Sequence, residues 1–96
     1  MARHRAQVRV YTRAGCGLCV AAERLVAREL RRPSLRLRRG LSPSLEVVDV
    51  DSDEELARRY GVRVPVVTVD GVEIAELEVS RAQVRAALQG AAHRRS

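Results

Sequence analysis

Aromatic residues are almost absent from this chain of 96 residues, which has no Phe, no Trp and two Tyr. Hydrophobic residues nevertheless make up 46% of the chain, so its core must be built from Val, Leu, Ile and Ala. A core of that kind favours an aliphatic sheet covered by helices. The length predicts one domain with a single modest core.

Long hydrophobic runs are missing as well. No run approaches the roughly 20 apolar residues that a membrane-spanning helix needs, and the start Met-Ala-Arg-His-Arg has no apolar segment typical of a signal peptide. We therefore expect a cytoplasmic protein with no membrane partner. In a reducing compartment, a close cysteine pair is more often catalytic or metal-binding than structural.

Lysine is missing too: all 18 basic residues are arginine, and the formal net charge is +6. Five arginines lie between Arg31 and Arg39. Such a surplus can attract nucleic acid, glutathione or an acidic protein, although a solvated loop is the commoner meaning of a charge run. The acidic residues concentrate between Glu46 and Glu55, and we interpret them as helix-start and surface charges, not as a metal site.

Cysteine is scarce, yet Cys16 and Cys19 stand close together between a predicted strand and a predicted helix. A helix start carries roughly half a positive charge and leaves its first N–H groups unpaired, which stabilises a thiolate. The pKa of a thiol there falls from about 8.5 to about 3.5–7.5, and the thiolate attacks disulfides. Arg13 adds a positive charge nearby. We predict that Cys16 is the nucleophile and Cys19 the resolving thiol.

Other interpretations of the cysteine pair stay open. Zinc would need two further ligands, and the only histidines, His4 and His93, lie near the termini. A purely structural disulfide would close a loop so short that it constrains the unfolded chain little. An iron–sulfur cluster wants four thiolates, so it would require a dimer or glutathione. We expect no metal site in the monomer.

The hydrophobic pattern predicts the element order βαβαββα, an α/β fold with a four-stranded mixed sheet and helices on both faces. The predicted strands span residues 7–12, 45–50, 66–69 and 72–77, and the predicted helices span 17–31, 52–61 and 80–90. The second strand is expected to be buried on both faces because it is almost continuously apolar. Residues 7–89 form the predicted domain, with flexible basic tails at 1–6 and 90–96.

Local signals support these boundaries. Ser52 with Glu55 and Ser80 with Gln83 form capping boxes at the starts of the second and third helices. Asp-Gly at residues 70–71, between two β-branched runs, is a strong hairpin signal.

Taken together, the chain resembles the thioredoxin superfamily and, within it, the short bacterial glutaredoxin-like proteins with a C-x-x-C motif. The stretch from Val10 to Cys19 is similar to the glutaredoxin strand and active-site loop. Residues 48–51, Val-Asp-Val-Asp, resemble the end of the second strand, and Arg-Val-Pro at 63–65 lies where the family has Thr-Val-Pro. The resemblance covers about residues 7–89 and implies a thioredoxin-like fold.

The resemblance also implies binding residues. It implies a cis peptide bond between Val64 and Pro65, which would present the backbone to an extended thiol substrate. It further implies that Arg13 occupies the position of a glutaredoxin lysine that contacts a glutathione carboxylate. Arg13, Arg63, Val64 and Pro65 are therefore the expected substrate- or glutathione-binding residues.

We expect a monomeric thiol–disulfide oxidoreductase that acts on protein or small-molecule disulfides. It should hold no bound cofactor, and glutathione or a thioredoxin reductase would regenerate its dithiol. Nucleic acid is not an expected partner of this enzyme. Two alternatives stay open: a thioredoxin-fold binding module that docks an acidic partner through the segment from Arg31 to Arg39, and iron–sulfur cluster handling in a dimer.

Overall fold

The structure is a computed structural model that describes residues 5–33 and 42–95, without the side chains of 92–95. Within these ranges the strands are β1 (Gln7–Thr12), β2 (Ser44–Asp49), β3 (Val66–Val69) and β4 (Val72–Glu76). The helices are α1 (Gly17–Leu30), α2 (Glu54–Tyr60) and α3 (Arg81–Arg95), and a 3₁₀ turn at Val50–Ser52 precedes α2. None of the described helices is long and apolar enough to cross a membrane.

β1 is an inner strand of a sheet with the order β2-β1-β3-β4. It pairs in parallel with β2 and antiparallel with β3, and β3 pairs antiparallel with β4. Val10 marks the register because it faces Val47 of β2 on one side and Val67 of β3 on the other. The predicted four-stranded mixed sheet is confirmed.

Helices cover both faces of the sheet, as predicted. Successive residues of β1 point to opposite faces, so this strand packs against helices on both sides. Val10 packs in the main core with Val26 of α1 and Leu88 of α3. Tyr11 faces the other side and belongs to a second cluster with Tyr60 of α2. The two tyrosine rings stack with their centroids 4.2 Å apart, so the chain's two aromatic residues both serve to attach α2.

The hairpin between β3 and β4 is confirmed. Asp70 and Gly71 have φ angles of 51° and 84°, and positive φ at both central residues is what a type I′ turn requires. The turn is tied back to β1, because the N–H of Gln7 donates to Asp70 Oδ1 at 2.9 Å and the N–H of Asp70 donates to the Gln7 carbonyl at 2.8 Å.

The prediction that the second strand is buried on both faces is wrong. β2 stands at the end of the strand order, where β1 is its one neighbour among the described strands. Val47 of β2 is 46% exposed, whereas all four residues of β3 are buried. An apolar run predicts a strand, but its exposure depends on the position that topology gives it in the sheet.

The predicted capping box at the start of α2 is wrong by one residue. Asp53 caps this helix, because its carboxylate accepts the N–H of Glu55 at 2.8 Å. Ser52 belongs instead to the preceding 3₁₀ turn, and its hydroxyl donates to the Asp49 carbonyl at 2.6 Å. The extra turn after β2 therefore shifts the helix start.

The prediction of the third helix is correct at its start and wrong at its end. Ser80 and Gln83 form the predicted capping box, with reciprocal bonds between side chain and backbone of 2.9 and 3.1 Å. The helix does not end at Gly90 but continues to Arg95. Ala91 is 1% exposed and belongs to the main core, so its burial favours continuation of the helix past the glycine.

A buried carboxylate joins α1 to α3. The side chain of Glu29 is 3% exposed and accepts hydrogen bonds from Arg85 Nε at 2.6 Å and Nη2 at 3.4 Å. Arg32 adds an ion pair at 3.4 Å. The hydrogen bond from Arg85 lowers the pKa of Glu29 below its ordinary value of 4.5, although burial acts in the opposite direction. The carboxylate is therefore ionised at neutral pH.

We predict that Glu29→Gln lowers the free energy of unfolding by about 1–2 kcal/mol at neutral pH, because hydrogen bonds to charged groups contribute about 1.5–3 kcal/mol. The folded pKa lies below the unfolded one, so this contribution is present above about pH 4.5 and is lost as the pH falls through the folded pKa. Urea unfolding of the wild type and the variant at a series of pH values measures this contribution.

The exposed Glu78 supplies the control for this experiment, since Glu78→Gln removes the same charge at the surface. The difference in stability between wild type and Glu29→Gln should shrink on acidification. A difference that stays constant down to about pH 3 would contradict the assignment of Glu29 as an ionised buried group.

Candidate functional site

Cys16 and Cys19 form a disulfide at the N-terminus of α1. Cys16 is the N-cap residue, and its Sγ accepts the N–H of Cys19 at 3.1 Å. Cys19 is 1% exposed, whereas Cys16 is partly exposed. Cys16 is therefore the more accessible of the two cysteines from solvent.

A sharp turn between β1 and α1 places Cys16 at the helix start. Gly15 has a φ of 76°, in the left-handed region that glycine adopts without steric cost. Cys16 then returns to an extended conformation, with φ −99° and ψ 106°. Its carbonyl accepts the N–H of Val20 at 3.2 Å, the first hydrogen bond of the helix.

Arg13 connects the cysteine loop to two other parts of the chain. Its Nε and Nη2 donate to the two carboxylate oxygens of Asp51 at 2.9 and 3.0 Å, and its Nη1 donates to the Gly61 carbonyl at 3.0 Å. The hydrogen bonds with Asp51 raise the pKa of Arg13, so the guanidinium is charged. The cation predicted to act on Cys16 therefore has a carboxylate of the same chain bound to it.

Gly61 provides the space in which Arg13 meets the end of α2. Its φ of −53° and ψ of −38° are ordinary helical values, so the backbone conformation does not select glycine here. A Cβ atom at this position would collide with the carbonyl of Ala57 and lie 2.9 Å from Arg13 Nη2. Gly61 follows the last residue of α2 as predicted, and its role is steric.

We predict that Gly61→Ala lowers the free energy of unfolding by about 1–3 kcal/mol, because added atoms in a close-packed place force their neighbours to move. Gly17→Ala is the matched control, since a Cβ there meets nothing within 4 Å. That control should change stability by at most about 1 kcal/mol, in the stabilising direction. Urea unfolding measures the stability of both variants. A Gly61→Ala variant as stable as the wild type would contradict the close approach of residue 61 to Ala57 and Arg13.

The disulfide borders an open cleft of about 570 Å³. Its lining includes residues 12–17, and it also includes two acidic residues, Glu23 of α1 and Asp49 at the end of β2. Our sequence prediction did not include Glu23, Asp49 or Asp51 among the site residues. A signal for the two aspartates existed, because Thr12 of β1 faces Asp49 of β2 in parallel register, which brings the segments after both strands to the same edge.

The Val64–Pro65 peptide bond is cis, as the family resemblance implies. The carbonyl of Pro65 accepts the N–H of Leu77 at 2.8 Å, which joins this segment to the end of β4. Among the described residues, neither Val64 nor Pro65 lines the cleft at the disulfide. Their contact with a substrate stays a prediction.

Arg63 is held by acidic residues of β4. Its Nη1 lies 2.8 Å from Glu73 Oε1 and 3.7 Å from Glu76 Oε2, and its guanidinium lies 5.5 Å from the ring centroid of Tyr60. The hydrogen bond from Arg63 lowers the pKa of Glu73. Arg63 is also not among the described residues lining the cleft, so its predicted role in substrate binding stays a prediction.

Part of the predicted basic segment, with Arg36, Arg38 and Arg39, lies outside the described residues, and so does His4. In the portion that the structure describes, no group of three or more His, Cys, Asp or Glu side chains could hold a metal ion. The binding module and the iron–sulfur protein therefore stay alternatives from the sequence.

Several solved structures share this fold. A structural-genomics target protein from X. campestris is 26% identical and has a TM-score of 0.66, covering 86% of this chain and 96% of that one. A thioredoxin from Malassezia sympodialis is 18% identical with a TM-score of 0.63, covering 95% of this chain and 78% of that one. A malarial protein is 21% identical with a TM-score of 0.59, covering 91% and 97%. These similarities confirm the predicted thioredoxin-like fold.

The family assignment comes from the sequence of the whole domain. No curated protein matches the chain. Residues 7–89, however, match the glutaredoxin-like domain (DUF836). The matched span contains the cysteine pair, Arg13 and the cis Val64–Pro65 bond. This chain therefore belongs to the glutaredoxin-like (DUF836) family.

Proposed function

We propose that this protein is a thiol–disulfide oxidoreductase in which Cys16 is the nucleophile and Cys19 the resolving thiol. The observation that carries the proposal is the asymmetric cysteine pair at the start of α1. Cys16 caps the helix and is partly exposed, whereas Cys19 is buried one turn further along. Membership of a glutaredoxin-like family supports the same chemistry.

The helix start supplies the electrostatic activation of Cys16. The N–H of Cys19 lies 3.1 Å from Cys16 Sγ in the disulfide, and a hydrogen bond of this kind strengthens when the acceptor is a thiolate. The helix dipole acts in the same direction, and the first turn of α1 contains no acidic residue. Arg13 contributes less than its formal charge suggests, because Asp51 offsets that charge.

The proposed reaction proceeds by two exchanges of thiol and disulfide. The Cys16 thiolate attacks one sulfur of the substrate disulfide, so that a bond forms between Cys16 and that sulfur while the other sulfur leaves as a thiolate. The Cys19 thiolate then attacks Cys16 Sγ, which forms the disulfide of this structure and releases the second substrate thiolate. Two electrons have passed to the substrate, and a cellular thiol system must return two electrons to the protein.

The substrates of the proposed reaction are protein or small-molecule disulfides. Glutathione and a thioredoxin reductase are the candidate sources of electrons. The charge of the cleft bears on that choice, since a reductant must bring its own sulfur to the exposed side of Cys16.

We predict that Cys19→Ser accumulates a mixed disulfide on Cys16, because the second exchange has lost its attacking thiol. Intact mass after mixing the reduced protein with bis(2-hydroxyethyl) disulfide measures this. The variant should gain one mercaptoethanol unit, whereas the wild type should lose two hydrogens and keep no adduct.

Cys16→Ser is the complementary variant. It should gain no adduct and catalyse no disulfide reduction, because the remaining thiol of Cys19 is buried. Turnover that survives this substitution would show that Cys16 is not the nucleophile and would contradict the proposed function.

A further inference from the structure

The cleft beside Cys16 is acidic, although the chain as a whole has a formal net charge of +6. We infer that this cleft accepts neutral or cationic disulfides and disfavours anionic thiols, glutathione among them. The inference rests on the proposed function and assigns the substrate class of the same site. It depends on how Arg13 is bound and on the carboxylates around it.

Arg13 is the cation closest in sequence to Cys16, and each of its three guanidinium nitrogens already donates one hydrogen bond. Asp51 binds its Nε and Nη2 with both carboxylate oxygens, and the Gly61 carbonyl binds its Nη1. The carboxylate of a substrate that binds through the same Nε and Nη2 fork must displace Asp51. Because Asp51 belongs to the same chain, it competes at a high effective concentration.

Asp51 is also fixed in place before any ligand arrives. Its own N–H donates to Asp49 Oδ1 at 2.9 Å, in the turn that follows β2. Gly61 leaves room for the guanidinium to reach this turn and the end of α2 together. The pair between Arg13 and Asp51 is therefore tied to the backbone on both sides, although both side chains are partly exposed.

Two more carboxylates lie on the cleft. Glu23 and Asp49 are among its lining residues, and neither forms an ion pair within the described ranges. Arg13 is the one basic residue among the lining residues that the structure describes. With Arg13 neutralised by Asp51, Glu23 and Asp49 give the described lining of the cleft a net negative formal charge.

The sign of this charge decides which partner approaches readily. Glutathione carries a net negative charge at neutral pH, so both the approach of its sulfur and the mixed disulfide it forms meet repulsion in the cleft. A neutral disulfide is indifferent to the charge, and a cationic one is attracted. Because the carboxylates are near the surface, each should change a rate by about two- to fivefold, and salt should screen the effect.

A series of three small disulfides tests the inference. Reduced wild-type protein is mixed with cystamine, bis(2-hydroxyethyl) disulfide and glutathione disulfide, which are cationic, neutral and anionic. The rate of each reaction is divided by the rate at which a neutral free thiol, N-acetylcysteine amide, reacts with the same disulfide. We expect the normalised rates to fall from cystamine to glutathione disulfide. The spread should narrow as salt rises from about 10 mM to about 1 M, over which the Debye length falls from about 30 Å to about 3 Å.

Charge-neutralising variants identify the residues responsible. Asp51→Asn and Glu23→Gln should each raise the normalised rate with glutathione disulfide by about two- to fivefold, lower that with cystamine, and leave the neutral disulfide unchanged. Glu23→Gln, on the surface of α1, keeps the test valid if Asp51→Asn fails to fold. Glu54→Gln is the matched control, because Glu54 is exposed and is not among the described lining residues; it should leave all three rates unchanged.

Equal normalised rates, or a preference for glutathione disulfide in the wild type, would overturn the inference. So would a preference that neither Asp51→Asn nor Glu23→Gln alters. Failure of the proposed function gives a different result. In that case none of the three disulfides reacts faster with the protein than with the free thiol, or the reaction persists in Cys16→Ser.

Discussion

The parallel pairing of β1 with β2 is the constraint on which the site depends. It brings the carboxyl ends of both strands to one edge of the sheet, where Thr12 faces Asp49 in register. The loop that carries Cys16 follows the first strand, and the turn that carries Asp51 follows the second. Arg13 then joins the two segments and reaches Gly61 beyond them. An antiparallel pair could not place these segments together.

Several arginines among the described residues connect different parts of the fold. Four arginines each pair with an acidic residue from another element or segment, and the pairs are Arg9 with Glu46, Arg13 with Asp51, Arg63 with Glu73 and Arg85 with Glu29. Exposed pairs of this kind contribute little to the stability of the fold, so their main effect is to fix the register of neighbouring segments. The buried carboxylate of Glu29 is the exception. The positive charge of the chain is therefore no guide to the charge of the cleft.

Short-range signals in the sequence were sufficient for much of the fold. The hairpin at residues 70–71 and the capping box at residues 80–83 depend on neighbouring residues, and both are confirmed. The exposure of Val47 and the burial of Ala91 depend on sheet order and helix packing, which no local pattern encodes. The partner of Arg13 was missed although the predicted parallel pairing of the first two strands brings the segments that follow them to the same edge of the sheet.

The rate of alkylation of the reduced wild-type protein as a function of pH tests the central claim that the start of α1 activates Cys16. Peptide mass spectrometry after limited treatment with iodoacetamide reports which cysteine reacts and at what pH its thiolate forms. We expect Cys16 to be modified first, with a midpoint well below the value of about 8.5 for a free thiol. Modification of Cys19 first, or a midpoint for Cys16 at or above about 8.5, would contradict the claim.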